Sequence, residues 1–224
     1  MIRIGGSRRT IGYARAPKGF ITAAVISRGP VKWRELSPFY LPVDWETKNG
    51  TATSVENMWQ GSKVYYTTVK NKTGTWTQNS ECHAIEDSEI GWILTRAYYR
   101  WRRRLFAHNQ AIRRPNGTVA KGGVPIFSLW GDERLDYIEA RKKIYEPTYK
   151  TAAAKTQAYA ELLDLHKSGH NIMLIDVDGP DPVQYPNGIE VTLESIDKAR
   201  ENRRVVWGHS MVLAKMLYSG VEPE

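Results

Sequence analysis

Residues 53–66, with the sequence TSVENMWQGSKVYY, carry the pattern that most strongly constrains the fold. Apolar side chains recur there at helical spacing, which predicts an amphipathic helix over the whole segment. Glu56, Gln60 and Lys63 recur at i, i+4 and i+7, so the same helix places them in one row on another face. The row either faces solvent or lines a cleft, and the residues alone leave both possibilities open.

The position of Glu56 at the start of this helix has two interpretations. Thr53-Ser54-Val55-Glu56 matches a capping box, in which the Glu56 carboxylate accepts a hydrogen bond from the backbone N–H of Thr53. The helix dipole also favours a carboxylate anion at a helix N-terminus. An anion there suits electrostatic stabilisation or a general base, and does not suit a general acid.

The composition predicts an ordinary globular protein, and the elements predicted along the chain indicate a mainly α-helical (α+β) fold with a small strand component. The 224 residues are 41% hydrophobic and 25% charged, and they fit one domain over residues 1–224. We expect residues 1–34 to form an N-terminal extension and residues 70–123, approximately, to form a basic insertion.

Targeting and redox signals are absent from the sequence. No apolar run approaches the ~20 residues that span a bilayer, and residues 1–6 lack the apolar core of a secretory signal. Cys82 is the single cysteine, so no internal disulfide can form. We therefore expect a cytoplasmic protein without membrane contact.

Cys82 adjoins His83, but one adjacent pair is weak support for a thiol nucleophile.

The net charge of +8 is concentrated in two segments. Residues 1–34 contain eight Arg and Lys residues and no acid, and residues 96–121 also contain eight and no acid. Segments of this kind indicate a polyanionic partner such as nucleic acid or a phosphorylated ligand. A solubilising surface explains the same charge, and the two interpretations stay open.

Secondary structure follows from periodicity and from turn residues. A strand is predicted at residues 171–176, a strand or a buried segment at residues 20–26, and a turn at Asn49-Gly50. The predicted helices, besides residues 53–66, are 86–111, 133–146 with Asp132 as N-cap, 148–167, 192–202 and 210–218.

Three acids, Asp176, Asp178 and Asp181, follow the strand predicted at residues 171–176. Acids at the carboxyl end of a strand often point into a site, although Asp178-Gly179-Pro180-Asp181 also has turn chemistry. The five histidines show no metal-ligand spacing, and the acids lack the spacing of a calcium loop. We therefore expect no metal and no cofactor.

Residues 96–104, RAYYRWRRR, interleave arginines with aromatic side chains. Arginine binds phosphate and aromatic rings stack on bases, so Arg100, Arg102, Arg103 and Arg104 are candidate phosphate or nucleic-acid ligands. The alternative is an exposed helix face whose aromatic residues turn inward. Walker and GxGxxG motifs are absent from the sequence.

The segment from Glu56 to Lys63 resembles the signature helix of the NADAR superfamily, which reads Glu, two residues, an aromatic, Gln, a small residue, any residue and Lys. Residues 36–40, LSPFY, resemble the entry motif of that family, and residues 174–176 resemble its Leu-Val-Glu strand. Residues 137–144 fit its middle helix loosely, and residues 210–217 resemble its final helix. The Trp-Gly pair that the family has beside the late acids is missing at Asp178, although Trp207-Gly208 lies further along the chain. The family's Asn before the last helix is not matched either, and Ser210 is the nearest residue.

The resemblance implies a compact, mostly helical fold and hydrolysis of N-glycosidic bonds in ribosyl-phosphate or ADP-ribosyl adducts. It implies that Glu56 stabilises the ribose or the oxocarbenium ion, and that Asp176 or Asp178 acts as water base or ribose ligand. It also implies substrate contacts from Phe39, Trp59, Gln60, Lys63, Trp207 and Ser210. Trp59 lies on the apolar stripe, so core packing is an alternative role for it.

The leading hypothesis is therefore an N-glycosidase that acts on a ribosylated nucleotide or an ADP-ribosylated substrate, with nucleic acid as one carrier of the adduct. A non-catalytic nucleic-acid-binding protein is the first alternative, because of the two acid-free basic segments. An ADP-ribose or NAD binder without hydrolysis is the second. The sequence leaves the leaving base and the oligomeric state open.

Overall fold

A computed structural model describes residues 1–8, 12–66, 68–70, 73, 76–78, 82–112, 125–205 and 207–223. Helices account for 37% and strands for 23% of the structure, which makes the fold α+β. The prediction of a mainly α-helical, compact helical fold was therefore wrong. The physical reason is that several segments with helical periodicity pair as strands instead.

Twelve strands occur in the described ranges, numbered in chain order. They are β1 (Ile2–Arg8), β2 (Gly12–Tyr13), β3 (Phe20–Ala24), β4 (Lys63–Tyr65), β5 (Thr68–Lys70), β6 (Trp76–Gln78), β7 (Ala84–Asp87), β8 (Gly91–Leu94), β9 (Pro125–Trp130), β10 (Glu133–Leu135), β11 (Asn171–Asp176) and β12 (Ile189–Val191). The helices are α1 (Val31–Arg34), α2 (Val55–Ser62), α3 (Arg96–Phe106), α4 (Tyr137–Ala140), a π-helical turn (Arg141–Tyr145), α5 (Glu146–Ala154), α6 (Gln157–Lys167), α7 (Leu193–Glu201) and α8 (His209–Tyr218).

The chain forms two compact units. The terminal unit comprises Met1–Leu41 and Tyr145–Glu224, and the central unit comprises Pro42–Ile144. The expectation of one domain over residues 1–224, with an extension and an insertion, stays a prediction.

The terminal unit is built on a mixed sheet with the strand order β12-β1-β11-β3, and β2 pairs with the end of β1. β11 lies parallel to both β1 and β3, whereas β12 is antiparallel to β1. Residues 172–175 in β11 are fully buried, which explains their unbroken apolar run because a central parallel strand is covered on both faces. The strand predicted at residues 171–176 is confirmed.

Residues 1–34 contribute three strands to this sheet. Ile2 and Ile4 of β1 are fully buried, and β1 pairs with β11 on one side and with β12 on the other. The strand predicted at residues 20–26 is confirmed as β3. The helices predicted at 192–202 and 210–218 are confirmed as α7 and α8, whereas the one predicted at 148–167 is divided into α5 and α6, because Thr156 caps a new helix.

The central unit combines α2 and α3 with small antiparallel sheets. β9 pairs with β4 and with β10, and β7 pairs with β8. The core between them contains the buried residues Val64, Ala84, Tyr98, Trp101, Leu105 and Leu129. Gly61 of α2 lies so close to the Phe106 ring of α3 that a Cβ would collide with it, so a glycine here permits close helix packing.

Three predicted helices of the central unit need correction. The helix predicted at 53–66 ends at Ser62, because residues 63–65 pair with β9. The helix predicted at 86–111 is a β7–β8 hairpin followed by α3. The helix predicted from Glu133 begins at Tyr137 with Asp136 as N-cap, because residues 133–135 form β10. Cross-strand hydrogen bonds outweighed local helical periodicity at all three places.

Candidate functional site

The N-terminus of α2 is capped by Ser54 rather than by Thr53. The Ser54 hydroxyl accepts a hydrogen bond of 3.1 Å from the backbone N–H of Asn57. The backbone N–H of Thr53 donates to the Phe106 carbonyl at 3.0 Å. The capping box predicted from Thr53 to Glu56 was therefore wrong, since Thr53 lies outside the helix and its N–H is bound elsewhere.

The row of Glu56, Gln60 and Lys63 is a hydrogen-bonded chain. Gln60 Nε2 donates to Glu56 Oε1 at 2.9 Å, and Lys63 Nζ donates to Gln60 Oε1 at 3.1 Å. The amide of Gln60 therefore links the carboxylate to the ammonium group. Glu56 is only 7% exposed, so this end of the row is not a solvated surface.

Aromatic rings and cations flank the same row. Lys63 Nζ lies 4.4 Å from the ring centroid of Trp59, and the Trp59 ring lies 6.2 Å from that of Tyr137. The guanidinium carbon of Arg141 lies 4.3 Å from the Tyr137 ring centroid, within cation–π range. Arg141 is 1% exposed. The cluster thus brings the buried Glu56 carboxylate together with two aromatic rings, each of which has a cation over its face.

Arg141 is a residue that the sequence interpretation missed. It opens a π-helical turn (Arg141–Tyr145) directly after α4, which a capping box from Asp136 to Glu139 starts. Single π-helical turns are rare in proteins. Those that occur often lie at functional sites. No feature of the sequence around residues 137–144 singled out Arg141.

Asp176 ends β11 in the terminal unit, and other groups engage both of its oxygens. Oδ2 accepts from the backbone N–H of Ser210 at 3.2 Å and lies 3.2 Å from His209 Nδ1. Oδ1 accepts from the backbone N–H of Asp178 at 3.2 Å. Asp176 is 1% exposed. Because α8 has no side-chain cap of its own, Asp176 supplies the acceptor for its first turn.

His209 is the second residue that the sequence interpretation missed. Its Nε2 lies 2.7 Å from the carbonyl oxygen of Val25, while its Nδ1 faces Asp176. Because a carbonyl oxygen can only accept, Nε2 donates to Val25 and Nδ1 is left facing the Asp176 carboxyl group. The Tyr149 ring lies 5.8 Å from the His209 ring. Burial and the Asp176 charge raise the pKa of Tyr149 well above its ordinary value.

Trp207 and Gly208 lie beside the late acids in space although not in sequence. A Cβ built on Gly208 would stand 2.6 Å from Asp176 Oδ2 and 3.0 Å from Asp178 Cβ. The buried Trp207 ring packs edge-on against Tyr145, with centroids 6.3 Å apart. The tertiary structure thus puts Gly208, directly after Trp207 in the chain, next to Asp176 and Asp178.

The other predicted site residues lie in several places. Ser210 is buried in the first turn of α8, Asp178 is exposed after β11, and Phe39 is half-buried in the turn that begins at Ser37. On α3, Arg102 is half-buried, whereas three arginines are exposed, namely Arg100, Arg103 and Arg104. Arg113, Arg114 and Lys121 lie outside the described residues.

Cys82 and His83 do not form a nucleophilic pair. Cys82 is buried, with its Sγ 2.9 Å from the Ala84 carbonyl oxygen. His83 packs among aromatic rings, stacked on Trp101 at 6.1 Å, and burial lowers its pKa to about 4. A buried thiol beside an imidazole that is enclosed by rings suits core packing rather than catalysis.

Comparison with known proteins gives no relative to which this geometry can be referred. No family model matches the chain, and neither a curated protein nor a solved structure matches it. Within the described ranges, no cluster of three or more His, Cys, Asp or Glu residues suits a metal ion. The helices of those ranges include none with the length and apolar character needed to cross a bilayer.

Proposed function

We propose that the chain is an N-glycosidase that cleaves the C1′–N bond of an ADP-ribosyl or ribosyl-phosphate adduct. The observation that carries the proposal is the buried Glu56 carboxylate in the first turn of α2, bound to Gln60 and linked through it to Lys63. A buried carboxylate has a high desolvation cost, and the capping box that would have explained it is absent from the structure.

The chemistry needs an anion close to the sugar. Breaking the C1′–N bond develops positive charge on C1′ and the ring oxygen, and a fixed carboxylate stabilises that oxocarbenium ion. The bonding electrons leave with the base nitrogen, which takes up a proton. A water oxygen then bonds to C1′ and releases its own proton. Glu56 supplies the electrostatic stabilisation, and the hydrogen bond from Gln60 orients its carboxylate.

The cations of the cluster suit the phosphate part of such a substrate. Lys63 ends the row, and Arg141 lies beyond Trp59 and Tyr137. Lys63 and Arg141 are cations that can pair with the phosphate of a phosphorylated ribose, which a neutral nucleoside lacks. Trp59 and Tyr137 hold the cations through their ring faces.

Asp176 and Asp178 are given no role in this step. The partners of Asp176 are the start of α8 and the His209 ring, which support a structural task for its carboxylate. The roles expected for Asp176 and Asp178, as water base or ribose ligand, stay predictions. The same holds for substrate contacts from Phe39, Trp207 and Ser210.

The test uses ADP-ribosylated DNA oligonucleotides and ADP-ribosylated nucleotides, with chromatographic detection of released base or ADP-ribose. We expect Glu56→Gln to lower kcat/KM at least ~100-fold, because it removes the charge and keeps the shape. Glu46→Gln is the matched control, an exposed glutamate of the central unit, and should retain activity.

Equal turnover by folded wild-type and Glu56→Gln protein would overturn the proposal. So would tight binding of ADP-ribose by wild type together with intact substrate in the same sample, because that result describes a binder without hydrolysis. Hydrolysis in H₂¹⁸O should place the label on the sugar product, since the proposed step forms the bond between C1′ and the water oxygen.

A further inference from the structure

A groove in the central unit lies along the exposed side of α3. It has a volume of about 570 Å³. Its walls are the Asn49-Gly50-Thr51 turn on one side and α3 on the other. The α3 side chains that line it include Tyr99, Arg102, Arg103 and Phe106.

The walls of this groove are held in place by hydrogen bonds and by packing. Arg102 donates to the Asn49 carbonyl at 2.8 Å, and its guanidinium carbon lies 5.3 Å from the Phe106 ring centroid. The Asn49 side chain donates to the Leu129 carbonyl at 2.8 Å and accepts from the Gly131 N–H at 3.0 Å. The turn and the helix are therefore held together by direct contacts, and the groove between them is preformed.

The helix that forms one wall of the groove carries a row of exposed arginines, of which Arg103 lines the groove itself. Five exposed side chains recur along α3 at helical spacing: Arg96, Tyr99, Arg100, Arg103 and Arg104. Within the described part of the chain, no ion pair is formed by Arg100 or Arg103, and residues 90–131 contain no acid at all. Acidic neighbours in sequence therefore do not neutralise this face.

Tyr99 gives the row a second kind of chemistry. It is 53% exposed, although tyrosine in a helix usually turns its ring towards the core, as the adjacent Tyr98 does. An exposed ring beside arginines on successive turns, about 5.4 Å apart, can stack on a base while the arginines bind phosphates. Bases are available for such stacking only when they are unpaired.

We propose that this groove binds single-stranded nucleic acid, with Tyr99 stacking on a base and Arg100 and Arg103 contacting the phosphate chain. Arg102 is a positioning residue, because its guanidinium is engaged by Asn49. Single strands are favoured over duplex because the stacking ring is the exposed group at the centre of the row. The proposal does not depend on the N-glycosidase activity.

The groove can be altered separately from the Glu56 cluster. Gly61, which contacts α3, follows Gln60 by one residue and so lies about 100° around α2 from the polar row. α3 therefore packs on a different side of α2 from Glu56 and Gln60. Substitutions on the exposed face of α3 should leave that cluster intact.

The experiment measures fluorescence anisotropy of labelled oligo(dT) and oligo(U) of about 16 nucleotides, at about 50 and about 200 mM NaCl. We expect wild type to bind and to weaken with salt, with a slope of about 0.7 per phosphate contact for a single strand. Tyr99→Ala should weaken binding at least ~5-fold, while Tyr99→Phe retains it. The double change Arg100→Ala with Arg103→Ala should reduce the slope by about 1.4.

Lys150→Ala removes an exposed cation in the terminal unit and is the matched control, expected to bind as wild type does. Circular dichroism shows whether each variant is folded. Equal loss in Tyr99→Ala and Lys150→Ala, absent binding, or duplex bound as tightly as single strands would overturn the proposal. Glu56→Gln should bind normally, so loss of catalysis and loss of nucleic-acid binding are separate results. The ratio of the affinities for oligo(dT) and oligo(U) shows whether the groove prefers single-stranded DNA or single-stranded RNA.

Discussion

Glu56 of the central unit and Asp176 of the terminal unit are both buried carboxylates, and their surroundings differ. Asp176 accepts from two backbone N–H groups and faces His209, so secondary structure on both sides of it depends on its oxygens. Glu56 accepts from the side-chain amide of Gln60 on its own helix, and the cap of that helix is Ser54. The first carboxylate holds backbone elements together, and the second belongs to a side-chain row.

The contrast between Asp176 and Glu56 predicts a structural role for the first acid and, under the proposed function, a catalytic role for the second. An acid that satisfies backbone donors and a buried ring should mainly affect stability when removed. An acid in a polar row beside aromatic rings and cations should mainly affect ligand chemistry. Substitutions in the two units test this contrast, and their expected effects on the free energy of unfolding range from several kcal/mol to almost none.

The largest effect is expected for Asp176→Ala. The substitution leaves the His209 ring without its carboxyl partner and the Ser210 N–H without its acceptor, so the free energy of unfolding should fall by about 3–5 kcal/mol. Urea unfolding followed by circular dichroism measures it. Asp178→Ala, an exposed neighbour, is the control and should cost less than about 1 kcal/mol. Similar losses in both variants would contradict the structural role of Asp176.

Acid pH should destabilise the central unit through His83. Burial lowers the pKa of His83 to about 4, below the ordinary value of 6.5 that applies to an unfolded chain, so the unfolded state binds the extra proton between these values. The stability that the neutral, buried His83 ring contributes is therefore fully present above about pH 6.5 and is lost as the pH falls towards 4. The free energy of unfolding at about pH 4.5 should be about 2 kcal/mol lower than at about pH 7.

The measurement compares urea unfolding of wild type and His83→Phe at both pH values. The phenyl ring retains stacking on Trp101 and cannot titrate, so the wild type should lose about 2 kcal/mol more than the variant on acidification. An equal loss in the two proteins would assign the acid sensitivity to groups other than His83.

An intermediate effect is expected for Gly208→Ala. The added Cβ would press on Asp176 Oδ2 and on Asp178, so Asp176 or the start of α8 must shift, at a cost of about 1–3 kcal/mol. Ser219→Ala, exposed at the other end of α8, should change stability by less than about 0.5 kcal/mol. A thermal melt compares them, and a neutral Gly208→Ala would show that this contact relaxes freely.

The smallest change in stability is expected for Glu56→Gln. Glutamine keeps the volume and can still accept from Gln60, so the free energy of unfolding should change by less than about 1 kcal/mol at neutral pH. Urea unfolding of the same protein used for the activity assay provides the comparison. A loss as large as that of Asp176→Ala would place Glu56 among the structural acids.

The sequence predicted the terminal unit better than the central unit. β11 was predictable because its apolar run is uninterrupted and ends in acids, and α7 was predictable because Thr192 caps it within its own segment. The β7–β8 hairpin and the strand at residues 63–65 were not predictable from periodicity. Their apolar spacing fits a helix, and only the hydrogen bonds to distant partners select a strand.

The candidate site divides in the same way. The row of Glu56, Gln60 and Lys63 follows from the helical period, so its members could be named from the sequence. Arg141 and His209 could not, because Arg141 reaches Tyr137 through a π-helical turn and His209 reaches Asp176 from a different element. The Trp207-Gly208 pair likewise stands far from Asp176 along the chain and beside it in space.

The residues by themselves determined where charge and local hydrogen bonding occur. The acid-free basic helix of residues 96–106, the strand with its terminal acid, and the polar row on α2 each depend on neighbours within about one or two helical turns. Tertiary structure alone decided which carboxylate is structural. Asp176 and Glu56 are the same kind of group in the sequence, and only long-range contacts show that α8 and His209 depend on the first, whereas a side chain of its own helix engages the second.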